Sequence, residues 1–345
     1  MTEISSSPPL VGAPAESAPF VESATTSLGP SVLELTDAER EQVRAVAADL
    51  TTATGGTVDS PEWLAAARTA TESLPSGLRV RLRAFRHDPG PDGLLLVRNL
   101  PVEPDLPATP VRPGSVRRSA TVAGASIVAV MLQLGEVIAY RSEKSGALVQ
   151  DVVPVPGHER QQSNAGSVEL HMHTENAFHA NRPHYVGLMC VRADPTGDAR
   201  LCTASVRRAL PHLSARSRQA LSQERYITEP PPSFGGLDGA APSHAVLHGS
   251  AADPDVTVDF AATHPLDEEA RQALTELRLL FQEQAHAHAL RPGDLGILDN
   301  RLTVHGRTSF SPRFDGTDRW LHRVYAALDG RRTLADSEDG GAVLR

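Results

Sequence analysis

Apolar side chains recur at helical spacing in the first third of the chain and in short β-type runs through most of the rest. Thr36 and Glu39 stand three apart, the side-chain pair of a capping box, ahead of Val43, Val46 and Leu50; an amphipathic helix is predicted there. Ser60 followed by Pro61 predicts a second helix with proline at its first position. A third helix is predicted over residues 78–85, a buried strand over 93–100, a further helix over 115–134 and a strand over 137–140.

From residue 148 onward, turn residues separate short runs at 152–155, 168–171 and 185–191, followed by a helix near 205–212. Residues 229–250 are rich in proline and glycine and read as a loop, a candidate lid. A strand is expected at 256–260. The longest predicted helix covers 267–290, with Ala270, Leu274, Leu277 and Phe281 on one face. Strands at 294–298 and 302–305, joined by Asp299, Asn300 and Arg301, precede a last strand at 320–328. Many short strands with helices before and between them predict a mainly β protein, an antiparallel double-sheet barrel with helical decoration. Residues 1–33, rich in Ser, Pro, Ala and Gly, are expected to form a disordered tail.

Composition narrows the function without naming it. A net charge of -9 disfavours non-specific nucleic-acid binding, which needs a basic face. No run reaches the roughly 18 apolar residues of a membrane span. The first residues lack a basic stretch leading into an apolar one, so a cytoplasmic location is expected, with Cys190 and Cys202 as reduced core thiols. The expected partner is a small molecule rather than a nucleic acid or a membrane.

The chemistry begins at His173 and Glu175. On a strand, residues two apart face the same way, so an imidazole and a carboxylate project together. His305, just before Gly306, reads as a second imidazole delivered from a neighbouring strand. Two histidines and one carboxylate on one facet of an octahedron form the arrangement that activates oxygen at Fe(II). His171 shares the face of His173 and is the main competitor as ligand. Arg319 and Arg323, four apart, share a face of the last strand if it begins one residue early, and a guanidinium fork binds a carboxylate bidentately. Arg307 and Arg313 read as structural ion-pair partners, and His286 and His288 as solvated residues of the long helix.

These segments, with Gly135-Glu136, Tyr140-Arg141, Ser163-Asn164 and Pro312-Arg313 in order, resemble the clavaminate synthase-like Fe(II)/2-oxoglutarate oxygenases, which include arginine and asparagine β-hydroxylases. The resemblance implies a double-stranded β-helix (jelly-roll, cupin-like) core at 136–330. The resemblance runs from about Leu132 to Tyr325; with the helices predicted before it, the chain is expected to form a helical N-terminal part at 34–135 within one oxygenase domain over 34–345. The resemblance assigns the metal to His173, Glu175 and His305, the 2-oxoglutarate carboxylate to Arg319, and the oxo acid or the substrate carboxylate to Arg323. Thr203, or else Leu201, falls at a position that contacts 2-oxoglutarate. Asp259 matches an acid that holds a cationic group of the substrate, and Ser163 and Asn164 match a loop lining its pocket.

Ser142 stands where relatives carry Gln, and Pro231, two before Ser233, stands where arginine-directed members have an acid. Thr257 replaces a second acid. A buried guanidinium needs paired carboxylates, so these departures favour a neutral amino or imino acid such as pipecolate, proline or citrulline over arginine or lysine. Ser142 and Ser233 join the expected substrate contacts. The implied reagents are Fe(2+), 2-oxoglutarate and O2, with ascorbate keeping the iron ferrous, and the implied setting is specialised metabolism such as antibiotic biosynthesis. The competing outcomes at the same iron are desaturation and oxidative cyclisation; a zinc hydrolase on the same ligands is the more distant rival.

Overall fold

A computed structural model describes residues 31–231, 234, 241–333, 336–337 and 341–345. Two antiparallel-rich sheets carry the architecture. The larger runs Ser31–Glu34, Leu94–Arg98, Leu295–Asp299, Tyr185–Arg192, Trp320–Ala327, Glu136–Tyr140 and Val343–Leu344, with Gln150–Val152 also paired to Trp320–Ala327. The smaller runs His286–His288, Leu201–Ser205, Thr303–Arg307 and Leu170–His173. This is the jelly-roll pairing of two sheets, without a closed barrel.

Side-chain alternation sets the layers. Leu94, Leu96, Val186, Leu188, Leu298 and Leu321 of the large sheet share one apolar cluster with Leu201 of the small sheet, so the sheets face each other. Leu95, Val97, Met189, Ile297, Trp320 and Val324 point the other way, into a cluster with the N-terminal helices Asp37–Thr52, Pro61–Ala70, Ser76–His87 and Val122–Leu132. Val122–Leu132 is apolar on nearly every side because it is covered on nearly every side. Gly187 permits its approach, since an added Cβ would meet Met131 Sδ at 2.7 Å. Beyond the small sheet, Ala204 and Val304 pack with Leu274, Leu277 and Phe281 of helix Glu268–Glu283.

The capping box at Thr36 and Glu39 is formed, and Ser60 caps the helix that opens with Pro61. Several expectations shift. Helix 115–134 begins only at Val122, where the Thr121 hydroxyl accepts from Gly124 N–H; the residues before it are extended and bridge Ser119 to Thr57 and Val116 to Gln150. The helix expected over 267–290 ends at Glu283, and His286–His288 instead pairs with Leu201–Ser205. The strand expected at 256–260 stops at Val256, leaving Asp259 bridged to His173. Ser31–Glu34, inside the expected tail, forms a parallel strand beside Leu94–Arg98. Within the expected lid, Ser243–His244 and Leu247–Ser250 are strands, whereas Ser233 lies outside the described residues. Among the described residues no helix is long and apolar enough to cross a membrane.

Candidate active site

The small sheet brings three donors together. His173 ends strand Leu170–His173, and its Cα partner across the ladder is His305 of Thr303–Arg307; their ring centroids lie 4.4 Å apart. Glu175 follows two residues on, its Oε2 3.5 Å from His305 Nε2. One ligand atom from each of His173, Glu175 and His305 falls within 4.8 Å of the other two. His173 Nδ1 donates to the His171 carbonyl at 2.9 Å, which leaves Nε2 with a free lone pair. His171 therefore contributes its backbone here.

Asn300, 1% exposed, fixes the carboxylate's backbone. Its side-chain oxygen accepts from Glu175 N–H at 2.7 Å and its amide donates to the Glu175 and Pro183 carbonyls. Asn176, at φ +51°, turns the chain immediately afterwards, in a region asparagine tolerates. Glu175 Oε2 is buried and has no hydrogen-bond partner among the described residues. An orphaned carboxylate oxygen beside two imidazoles is costly unless a cation takes it, so this donor set fits a divalent metal such as Fe(II).

Arg323, 2% exposed, is the hub next to the trio. Nη1 donates to Glu175 Oε1 at 3.0 Å, and Nε and Nη2 donate to Gln150 Oε1 at 3.1 and 2.5 Å. Nη2 also donates to Glu143 Oε1, and the Tyr325 hydroxyl donates to Glu143 Oε2 at 3.1 Å. With its amide oxygen facing the guanidinium, Asn164 accepts from Nη1 at 2.7 Å. Burial opposes the charge on Glu175, but Arg323 and His305 outweigh it and hold the carboxyl well below its usual range. Burial likewise opposes the charge on Arg323, and Glu143 and Glu175 more than restore it. Burial, with the neighbouring His173, keeps His305 neutral, the state in which imidazole binds metal.

Arg319 stands on the same face as Arg323 in a separate small cavity lined by Cys190, Ala193, Asp194, Ala199, Leu201, Leu290 and Leu321. It is buried and, among the described residues, forms no ion pair; burial lowers its pKa to about 10. A guanidinium so placed fits a carboxylate ligand. Leu201 lines this cavity; Thr203 instead pairs with His305, its hydroxyl 3.2 Å from His288 Nε2. His286 and His288 are thus half-buried strand residues, not solvated helix residues. Asp259 holds Ala261 N–H on one oxygen, and its own N–H donates to Thr263 Oγ1. Ser163 accepts from Ala165 N–H within the loop that carries Asn164. Ser142 precedes Glu143, and it is Glu143 that reaches the guanidinium. Arg307, expected in an ion pair, has no carboxylate partner among the described residues.

Glu143, Gln150 and Asn300 escaped the sequence reading as site residues. Asn300 carried a signal, a polar residue in the turn between two strands that deliver chemistry. Glu143 and Gln150 carried none, because a three-residue strand and an irregular turn place them.

Two facing sheets that bring two imidazoles and a carboxylate onto one point define a non-haem iron oxygenase. The chain belongs to the taurine catabolism dioxygenase TauD, TfdA family, whose pattern matches residues 92–325. It is 48% identical over 328 residues to L-asparagine oxygenase of Streptomyces coelicolor, covering 93% of this chain and 98% of that one. It is 37% identical over 287 residues to clavaminate synthase 2 of Streptomyces clavuligerus, covering 82% and 88%. The structure of asparagine oxygenase with Fe(II), (2S,3S)-3-hydroxyasparagine and succinate superposes with a TM-score of 0.88 at 49% identity, covering 91% and 98%. The chain is a clavaminate synthase-like oxygenase of the amino-acid hydroxylase type, using Fe(II), 2-oxoglutarate and O2. Cyclic imino acids such as pipecolate find no support among these relatives.

Proposed function

We propose that this chain hydroxylates free L-asparagine at C3, with His173, Glu175 and His305 holding Fe(II) and Arg319 holding the distal carboxylate of 2-oxoglutarate. The observation that carries this reading is 48% identity to an L-asparagine oxygenase across nearly the whole of both chains. The charge balance supports it. Glu143 and Glu175 both spend their charge on one guanidinium, Arg323, so neither is spare for a cationic substrate side chain. Thr257 is buried and bonded to His248. A zwitterion with a neutral amide side chain suits what remains.

Bound at the trio, Fe(II) supplies the oxygen chemistry that converts 2-oxoglutarate to succinate and CO2 and adds a hydroxyl to the substrate. The protein's own part is positioning and exclusion of water. His173 keeps its proton on Nδ1 against the His171 carbonyl, so the ring cannot turn its lone pair away. Arg319 orients the co-substrate from a small recess that it shares with Asp194 and several aliphatic side chains. Arg323, steadied by Glu143 and Gln150, holds Glu175 and Asn164 in place, so that Asn164 faces the substrate from a fixed position. Asp259 keeps one oxygen for a substrate N–H, and Ser142 and Ser163 directly precede Glu143 and Asn164 in the chain.

The test is anaerobic loading with Fe(II) and 2-oxoglutarate, then oxygen with asparagine and a panel of other free amino acids. Asparagine is expected to gain one oxygen atom at C3 with matching succinate release. Loss of two hydrogens would replace hydroxylation by desaturation or ring closure. Succinate release coupled to another amino acid but not to asparagine would overturn the substrate.

A further inference from the structure

We propose that Arg307 is a second cationic determinant of the dicarboxylate co-substrate site, acting beside Arg319 to select 2-oxoglutarate over monocarboxylate 2-oxo acids. The inference rests on the reading of Arg319 as the carboxylate partner and extends it to Arg307, whose expected ion pair does not form among the described residues.

Arg307 is 4% exposed, yet among the described residues no carboxylate pairs with it. Its Nη2 donates to the Val168 carbonyl at 2.8 Å, its guanidinium carbon lies 5.0 Å from the Phe310 ring centroid, and its Nε is buried with no partner. A buried guanidinium without a counter-ion is expensive, and the cost falls only when an anion arrives.

Position says which anion. Arg307 lies two residues beyond His305 on the same strand, so both side chains leave the same face. Its Cα partner on the neighbouring strand is Leu201, and Leu201 lines the cavity that holds Arg319. Arg319 lines this recess beside the large sheet, and Arg307 stands on the small sheet next to the lining residue Leu201, near enough for the two guanidinium charges to repel; the recess has no acid among its lining residues except Asp194. A ligand carrying one carboxylate at the metal and a second in this recess would answer both charges. A 2-oxo acid without the second carboxylate would leave them unanswered.

The full-length Fe(II)-loaded protein, kept anaerobic, is titrated calorimetrically with 2-oxoglutarate, succinate and 2-oxobutanoate as wild type, Arg307→Lys and Arg307→Gln. Arg307→Gln is expected to weaken 2-oxoglutarate and succinate about tenfold or more while changing Fe(II) and 2-oxobutanoate affinity less than about twofold. Arg307→Lys, which keeps the charge, is expected to recover part of the loss and guards against a Gln variant that fails to fold. Equal loss for all three ligands, or no loss for either dicarboxylate, overturns the proposal. A wild type that binds Fe(II) but no 2-oxoglutarate overturns the functional reading as well.

Discussion

Asn300 makes three buried side-chain hydrogen bonds to the backbone of Glu175 and Pro183. Asn300→Ala is expected to cost about 2–3 kcal/mol of stability by orphaning buried backbone groups of Glu175 and Pro183. Chemical denaturation would read that loss, and Fe(II) affinity should fall with it because the carboxylate loses its anchor. Glu143 acts differently. Glu143→Gln removes the carboxylate shared by Arg323 and Tyr325 but leaves the metal donors untouched. Steady-state kinetics should show KM for the amino acid rising about tenfold or more, with Fe(II) and 2-oxoglutarate affinities little changed. His173→Ala and Glu175→Ala should each abolish Fe(II)-dependent succinate release while the circular dichroism spectrum stays native.

Among the elements, strand Thr303–Arg307 tolerates little change at Gly306. Its pairing with Leu170–His173 slips between His305 and Arg307, and Gly306 lies so close to the opposite strand that an added Cβ would overlap the Leu170 carbonyl oxygen. Gly306→Ala should force the strands apart, with about 1–3 kcal/mol lost in denaturant melts and weaker Fe(II) binding, since His305 sits next to the strain.

The same strand shows where sequence was legible. Two strands and a linking turn were readable from their apolar runs; the pairing of His173 with Glu175 was expected from strand periodicity, but the strand ends at His173 and Glu175 is placed by the turn held by Asn300. The membership of the two linked strands in opposite sheets was not readable, because the turn at Asp299, Asn300 and Arg301 looks like an ordinary hairpin. Helix Glu268–Glu283 was legible to its last buried apolar residue, Phe281, and then overextended, because His286 and His288 carry no local signal for the strand they form with Leu201–Ser205. His173, Glu175 and His305 could be singled out in the sequence because metal chemistry demands specific residue types, and the fold brings the three together. The environment of Arg323 was not, because Glu143 and Gln150 are ordinary polar residues until the fold surrounds them.

Stability of the whole molecule depends on histidines that folding keeps uncharged. Burial, helped by Arg182 and His244, pushes His248 down to about 4; burial, helped by His286, does the same to His288. In the unfolded chain both return to the ordinary value near 6.5. Below that pH the unfolded state takes up protons that the folded state refuses, so their contribution is complete above about 6.5 and is lost as pH falls towards 4. Urea midpoints measured between pH 7 and 4.5 should decline, and His248→Gln should flatten the decline by up to about one proton's worth of linkage. A midpoint independent of pH across this range would count against these two residues.

Strand Ser31–Glu34 closes one margin of the large sheet by pairing with Leu94–Arg98. Any shortened version of the chain that starts after Glu34 would bare a row of unpaired amides on a strand made of four consecutive large apolar residues. Such a version should precipitate or self-associate on light scattering at concentrations where a chain starting at residue 31 stays monodisperse, so expression boundaries for this enzyme belong upstream of Ser31.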